Sequence, residues 1–170
     1  FASLDELTLG LRPGDLDIIA ARPSMGKSSL AMNIGVNAAR TGKRVAVFSL
    51  EMTREQLEDR ILAQLSGVAL SRIQSGHLGA ADFGTLTTAI EEIHTLPIHI
   101  DDRAGQTAID IRHGCRRILS ECGALHLVIV DYVQLQGSTL TRRGASRTEE
   151  LSDTAQREKE LAKELGVPVL

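Results

Sequence analysis

Ala21-Arg22-Pro23-Ser24-Met25-Gly26-Lys27-Ser28 decides how the rest of the chain is read. It follows the apolar, strand-like run Leu16-Asp17-Ile18-Ile19-Ala20-Ala21 and precedes a segment of helical spacing that starts at Ser28. Strand, turn and helix N-terminus are the setting a phosphate-binding loop requires. Backbone N–H groups of such a turn, and the positive end of the helix dipole behind it, converge on an anion. Lys27 is the residue placed to reach the β- and γ-phosphates, and the Ser28 hydroxyl the one to ligate Mg²⁺. The expected nucleotide contacts are Arg22, Pro23, Ser24, Met25, Gly26, Lys27, Ser28 and Ser29. The generic motif opens on glycine, where this chain has Ala21.

Strand and helix patterns alternate beyond the loop. A helix over 28–40 is stopped by Gly42, and Arg44-Val45-Ala46-Val47-Phe48-Ser49-Leu50 is a β-branched, apolar run ending on Glu51. Thr53-Arg54-Glu55-Gln56 reads as a capping box for a helix with Leu57, Ile61, Leu62 and Leu65 on one face, ending near Gly67. A short piece over 71–76 and an amphipathic segment over 83–93 lead to the strand Pro97-Ile98-His99-Ile100, followed by Asp101-Asp102. Helix 107–121 precedes the apolar strand Leu127-Val128-Ile129-Val130 with Asp131 at its end. Residues 136–145 read as a Gly-, Ser-, Thr- and Arg-rich loop. Ser146–Glu149 reads as a second capping box, opening a charged helix to Leu165, and Val167-Pro168-Val169-Leu170 begins a further strand. Such alternation predicts βαβ units, a largely parallel sheet and a three-layer α/β sandwich. The chain stops as a strand is starting, so it is expected to be cut from something longer.

Ligands of open parallel sheets sit beyond the carboxyl ends of the strands. Asp131 is expected there as the second motif of a P-loop NTPase, holding Mg²⁺ directly or through water. Glu51 leaves two readings open: a carboxylate that orients or deprotonates the water attacking the γ-phosphate, or a charge stabilising the dipole of the next helix. Asp101 and Asp102 read as a solvated acidic turn.

Composition bounds the alternatives. With 170 residues, 42% hydrophobic and 24% charged, the chain is expected to be one soluble domain with a real core. A net charge of −3 gives no global pull towards nucleic acid, so any DNA contact has to be local. Aromatic residues make up only 2%, which argues against a base-stacking platform. No apolar run is long enough to cross a bilayer and no signal peptide is visible, so a cytoplasmic location is expected. Cys115 and Cys122 fall on one helix, ~10 Å apart along its axis, too far for a disulfide. His77, His94, His99, His113 and His126 show no metal-ligand spacing with them and read as structural or surface residues.

Ala-Arg-Pro-Ser-Met-Gly-Lys-Ser (21–28), Phe-Ser-Leu-Glu-Met (48–52), Ile-Asp-Asp (100–102) and Val-Asp-Tyr-Val-Gln-Leu (130–135) occur in this order. Together they resemble the RecA-like, C-terminal motor domain of DnaB-type replicative DNA helicases. The stretches 4–7, 10–16 and 161–169 are also similar to that family, so the resemblance covers essentially the whole chain. Ala21 in place of the first glycine is what the family shows. The resemblance implies a three-layer RecA-like P-loop NTPase core, incomplete at its C-terminus and lacking the parent's N-terminal domain. It implies ATP and Mg²⁺ as ligands, Lys27 and Glu51 as catalytic residues with Glu51 the base, and Ser28 and Asp131 on the metal. It places Gln134 where the γ-phosphate is coupled to DNA-binding loops.

It further implies a homohexameric ring that translocates 5′–3′ on single-stranded DNA within a primosome, with a primase and a helicase loader as partners. The arginine finger and main DNA loop are expected beyond Leu170, leaving this stretch alone inactive or weakly active. For Arg142, Arg143 and Arg147 two readings stay open: contact with DNA or a neighbouring subunit, or a solvated loop. The rival to a helicase motor is a RecA- or KaiC-like ATPase that binds DNA or regulates without unwinding. A small-molecule kinase is a third reading, for which neither lid nor acceptor pocket is visible.

Overall fold

The computed structural model describes residues 5, 6, 8–22, 25–131 and 147–170, with 147–151 described by their backbone alone. Helix α1 (Lys27–Arg40) leads into strand β1 (Val45–Ser49). Three helices follow, α2 (Arg54–Ser66), α3 (Leu70–Ser75) and α4 (Ala80–Thr95), before strand β2 (Ile98–Asp101). Helix α5 (Ala108–Cys122), strand β3 (Leu127–Asp131) and helix α6 (Arg147–Leu165) complete the order.

The sheet is parallel and runs β2-β1-β3. All five residues of β1 and all five of β3 are buried, as continuous apolar runs in a doubly covered sheet should be. Alternate side chains feed two cores, because successive residues of a strand point to opposite faces. Val45, Val47, Leu127 and Ile129 pack with Ala31, Val36, Leu57 and Ile61 of α1 and α2. Ala46, Phe48, Val128 and Val130 pack with Ile111, Cys115, Ile118 and Leu161 of α5 and α6. These two cores give the three-layer α/β sandwich. Two glycines set how closely the layers approach. A Cβ on Gly35 would lie 2.8 Å from Ile129 Cδ1, and one on Gly114 would lie 2.7 Å from Phe48 Cε1.

The capping boxes at Thr53/Gln56 and Thr107/Asp110 both form. The second was not among the predicted boxes, and the one expected at Ser146 lies outside the described residues. Leu16-to-Ala21 behaves differently from its predicted strand. Only Leu16 bridges a neighbour, Val169, which also bridges Val128, so 167–170 lies between β3 and the segment leading to the loop. Asp17 N donates to Val169 O at 2.8 Å, the last backbone bond between the two segments. Among the described residues, 18–22 have no strand beside them to pair with, and Ile18 is 68% exposed.

Asp101 and Asp102 are not the solvated turn expected of them. Asp101 accepts from Arg103 (Nη2–Oδ2, 2.7 Å) and Gln106 (Nε2–Oδ1, 3.1 Å), and the Arg103 bond holds its carboxyl below the usual range. Asp102 Oδ2 accepts from Arg54 N at 2.8 Å, and the Arg54 guanidinium donates to Ile100 O. These bonds fasten the start of α2 to the end of β2.

Both cysteines are free, Cys115 buried and Cys122 half-buried with its Sγ 3.9 Å from His99 Nε2. Burial pushes the Cys115 thiol up to about 12. At about pH 8 a thiol-alkylating reagent should therefore label Cys122 of the native chain and reach Cys115 only on unfolding. Peptide mass mapping over time reads this, and equal labelling rates would refute it. No described helix is long and apolar enough to cross a membrane.

Candidate nucleotide site

The turn into α1 is closed by Met25 N, which donates to Arg22 O at 3.2 Å. Gly26 caps the helix at φ 84°, in the left-handed region that a residue without Cβ enters freely. It brings no side chain to the first-turn N–H groups, and no acidic residue lies in that turn. The positive end of the α1 dipole is thus left for an external anion.

Lys27, the first residue of α1, crosses to the end of β3, where Nζ lies 2.7 Å from Asp131 Oδ1. The side chains are 23% and 9% exposed, so the contact is largely shielded from water. Asp131 Oδ2 is buried and accepts no hydrogen bond from the described residues. A buried carboxylate oxygen without a donor calls for a cation or a bound water. With the Ser28 hydroxyl next along the same turn, the donor set is hard oxygen and fits Mg²⁺.

Glu51 lies exposed two residues past the end of β1. Its position relative to Asp131 follows from the sheet. Ser49 is in register with Asp131, and Leu50 N donates to Asp131 O at 2.6 Å. The two strand ends are tied together, with Glu51 leaving from one and Asp131 sitting on the other.

Among the described residues a cleft of about 560 Å³ opens beside this cluster, lined by Asp17, Ala20, Ala21, Lys27, Asp131 and Glu158. Arg22, Met25, Gly26, Lys27, Ser28 and Ser29 all lie on the turn or the first turn of α1. Pro23, Ser24, Gln134, Arg142 and Arg143 lie outside the described residues. Arg147 opens α6, and its side chain is likewise outside them.

Three residues at the site escaped the sequence reading. Arg60 Nη1 of α2 donates to Ser29 Oγ at 2.9 Å, while Asn33 Nδ2 donates to Ser29 O at 2.7 Å. Arg60 sits three residues after Leu57 and beside Ile61, on the face of α2 turned to the core. A cation in that row is the signal that could have found it. Glu158, 1% exposed on the cleft wall, is hidden in sequence by the charged run around it.

The comparisons with known proteins agree with one another. The family described as "DnaB-like helicase C terminal domain" matches residues 1–170. "Replicative DNA helicase DnaC" of Bacillus subtilis and "Replicative DNA helicase DnaB" of Geobacillus stearothermophilus are each 41% identical over the whole chain, which spans 37% of either. "Replicative DNA helicase DnaB" of Pasteurella multocida is 43% identical with the same coverage. Among solved structures, a DnaB-like replicative helicase studied for its interactions with primase superposes with a TM-score of 0.91 at 31% identity. It matches 99% of this chain and 41% of its own. A second solved structure, an ATPase domain, superposes at 0.90 and 31% identity, over 99% of this chain and 60% of its own. With whole-chain coverage in sequence and in fold alike, the protein belongs to the DnaB-like helicase C-terminal domain family.

Proposed function

We propose that this domain is the ATP-hydrolysing motor of a ring-shaped replicative helicase that translocates 5′–3′ on single-stranded DNA and separates the duplex at the fork. The observation that supports it most is the Lys27–Asp131 contact at 2.7 Å, which joins the N-terminus of α1 to the acidic end of β3. In this reading the loop from Arg22 to Ser29 wraps the phosphates, Pro23 and Ser24 included. Lys27 turns from Asp131 to the β- and γ-oxygens as they arrive, and stabilises the charge that spreads over the transferred phosphoryl group. Ser28 and Asp131 hold Mg²⁺, which neutralises the phosphates when bound. Glu51 accepts a proton from the attacking water, and ADP and phosphate leave. Gln134 senses the γ-phosphate, and Arg142, Arg143 and Arg147 face DNA or a neighbouring subunit.

Residues 1–170 form one RecA-like unit of this motor, continued beyond Leu170 and preceded in the parent by an N-terminal domain. The parent works as a cytoplasmic homohexamer with a primase and a helicase loader.

The test is unwinding of a forked DNA by the full-length parent, with Glu51→Gln beside it. ATP-dependent strand separation that the variant loses, its turnover falling about 10²-fold or more, is the expected result. Robust ATP hydrolysis with no strand separation would transfer the domain to the RecA- or KaiC-like ATPases that bind or regulate.

A further inference from the structure

We propose that Ser49 is a positioning residue for the Glu51 carboxylate, an inference that rests on the reading of Glu51 as the base. Ser49 is the last residue of β1 and is 1% exposed. A buried hydroxyl needs partners, and this one finds both across the bend that carries Glu51. Ser49 Oγ donates to Met52 O at 2.7 Å and accepts from Met52 N at 3.1 Å. Both backbone groups of Met52 are thus held by one side chain. On the other side of Glu51, Leu50 N is fastened to Asp131 O at 2.6 Å.

Glu51 is therefore the exposed member of a bend pinned immediately before and immediately after it. The first pin is set by the sheet and any residue but proline could supply it, because it is a main-chain bond. The second requires a short side chain that donates and accepts at once, which restricts it to serine or threonine among residues of this size. Without the hydroxyl the Met52 N–H and C=O lose their partner and the segment carrying the carboxylate is held at one end only. A shift of about 1 Å in a catalytic group costs on the order of 10²-fold in rate, so a bend that holds position matters more to turnover than to nucleotide affinity.

The experiment measures ATP turnover by the full-length protein in a cycle of Ser49→Ala, Glu51→Gln and the double variant. Ser49→Ala should lower kcat about tenfold while the KM for ATP and the affinity for a fluorescent ADP change by less than about twofold. Ser49→Thr should return turnover to within about threefold of wild type. In the Glu51→Gln background the serine substitution should cost nothing further, since its effect passes through the carboxylate. Equal losses in both backgrounds would overturn the inference while leaving Glu51 as the base, and so would a raised KM with kcat unchanged. Wild-type turnover by Glu51→Gln alone would remove the base reading itself, and the inference with it. Should the alanine variant fail to fold, Ser49→Cys keeps the volume with weaker, longer bonds and enters the same cycle with the same expectations.

Discussion

Replacing Lys27 by alanine should reduce ATP hydrolysis by the full-length protein about 10³-fold and weaken nucleotide binding with it. The expectation comes from where the amine already sits. It lies against Asp131 at a largely shielded spot, beside a helix end whose first-turn N–H groups have no capping side chain. Phosphates entering there meet the dipole first and the amine second, and no other cation of the described first turn can take its place. Lys27→Arg should fail nearly as fully, because a planar fork does not reproduce a compact ammonium in a tight turn. Turnover and equilibrium binding of a fluorescent ATP analogue check both variants. Hydrolysis within tenfold of wild type in Lys27→Ala would mean that the phosphates are met elsewhere.

The second large effect is on stability. Gly114→Val should destabilise the fold by about 3 kcal/mol and lower the melting temperature by roughly 6–12 °C. A Cβ at this position would meet Phe48 Cε1 at 2.7 Å and Cζ at 2.9 Å, and Phe48 is 1% exposed between sheet and α5. Neither partner can yield cheaply: the ring is walled in by core residues and the glycine lies within a capped helix. Trimming the ring should relieve the strain. Phe48→Leu in the Gly114→Val background is expected to recover at least about 1 kcal/mol relative to the sum of the single changes. Calorimetry of the four proteins decides it, and simple additivity would show that the ring and the glycine do not compete for the same space. Phe48 directly precedes Ser49, so an overpacked α5 should also disturb the bend that carries Glu51.

How far the sequence could be read follows from the range of each interaction. Strands β1 and β3 announce themselves because burial on both faces demands unbroken apolar runs. The cap at Thr53 is a local, four-residue device visible in any window that contains it, whereas the equivalent Thr107–Asp110 box, with Asp in place of Glu or Gln, went unread. Asp131 was legible as an acid at a strand end, yet its contact with Lys27 depends on β3 and α1 meeting across the sheet. Arg60 showed in the sequence only as a cation in an apolar helix row; its bond to Ser29 was not legible, since a long side chain on such a face declares neither its direction nor its partner. Leu16-to-Ala21 was apolar enough for a strand, but hydrogen bonding to a neighbour makes a strand, and among the described residues the pairing stops at Asp17. Asp102 was misread for a related reason: its partner Arg54 lies 48 residues away and is brought to it by the fold. Asp101 is different, since Arg103 and Gln106 stand two and five residues beyond it and only the conformation of that short loop turns them back onto the carboxylate.

The bond from Arg54 to Ile100 O has a further effect at the margin of the sheet. Among the described residues β2 is an outer strand, and its outward amides and carbonyls are the kind of row onto which a foreign chain can add and begin to aggregate. Here a guanidinium already occupies one of those carbonyls, and Asp102 anchors the backbone of the same arginine. An incoming strand would have to evict a charged group from its hydrogen bond before its own ladder could form. The residue that starts α2 thereby also guards the sheet against growing into its neighbours.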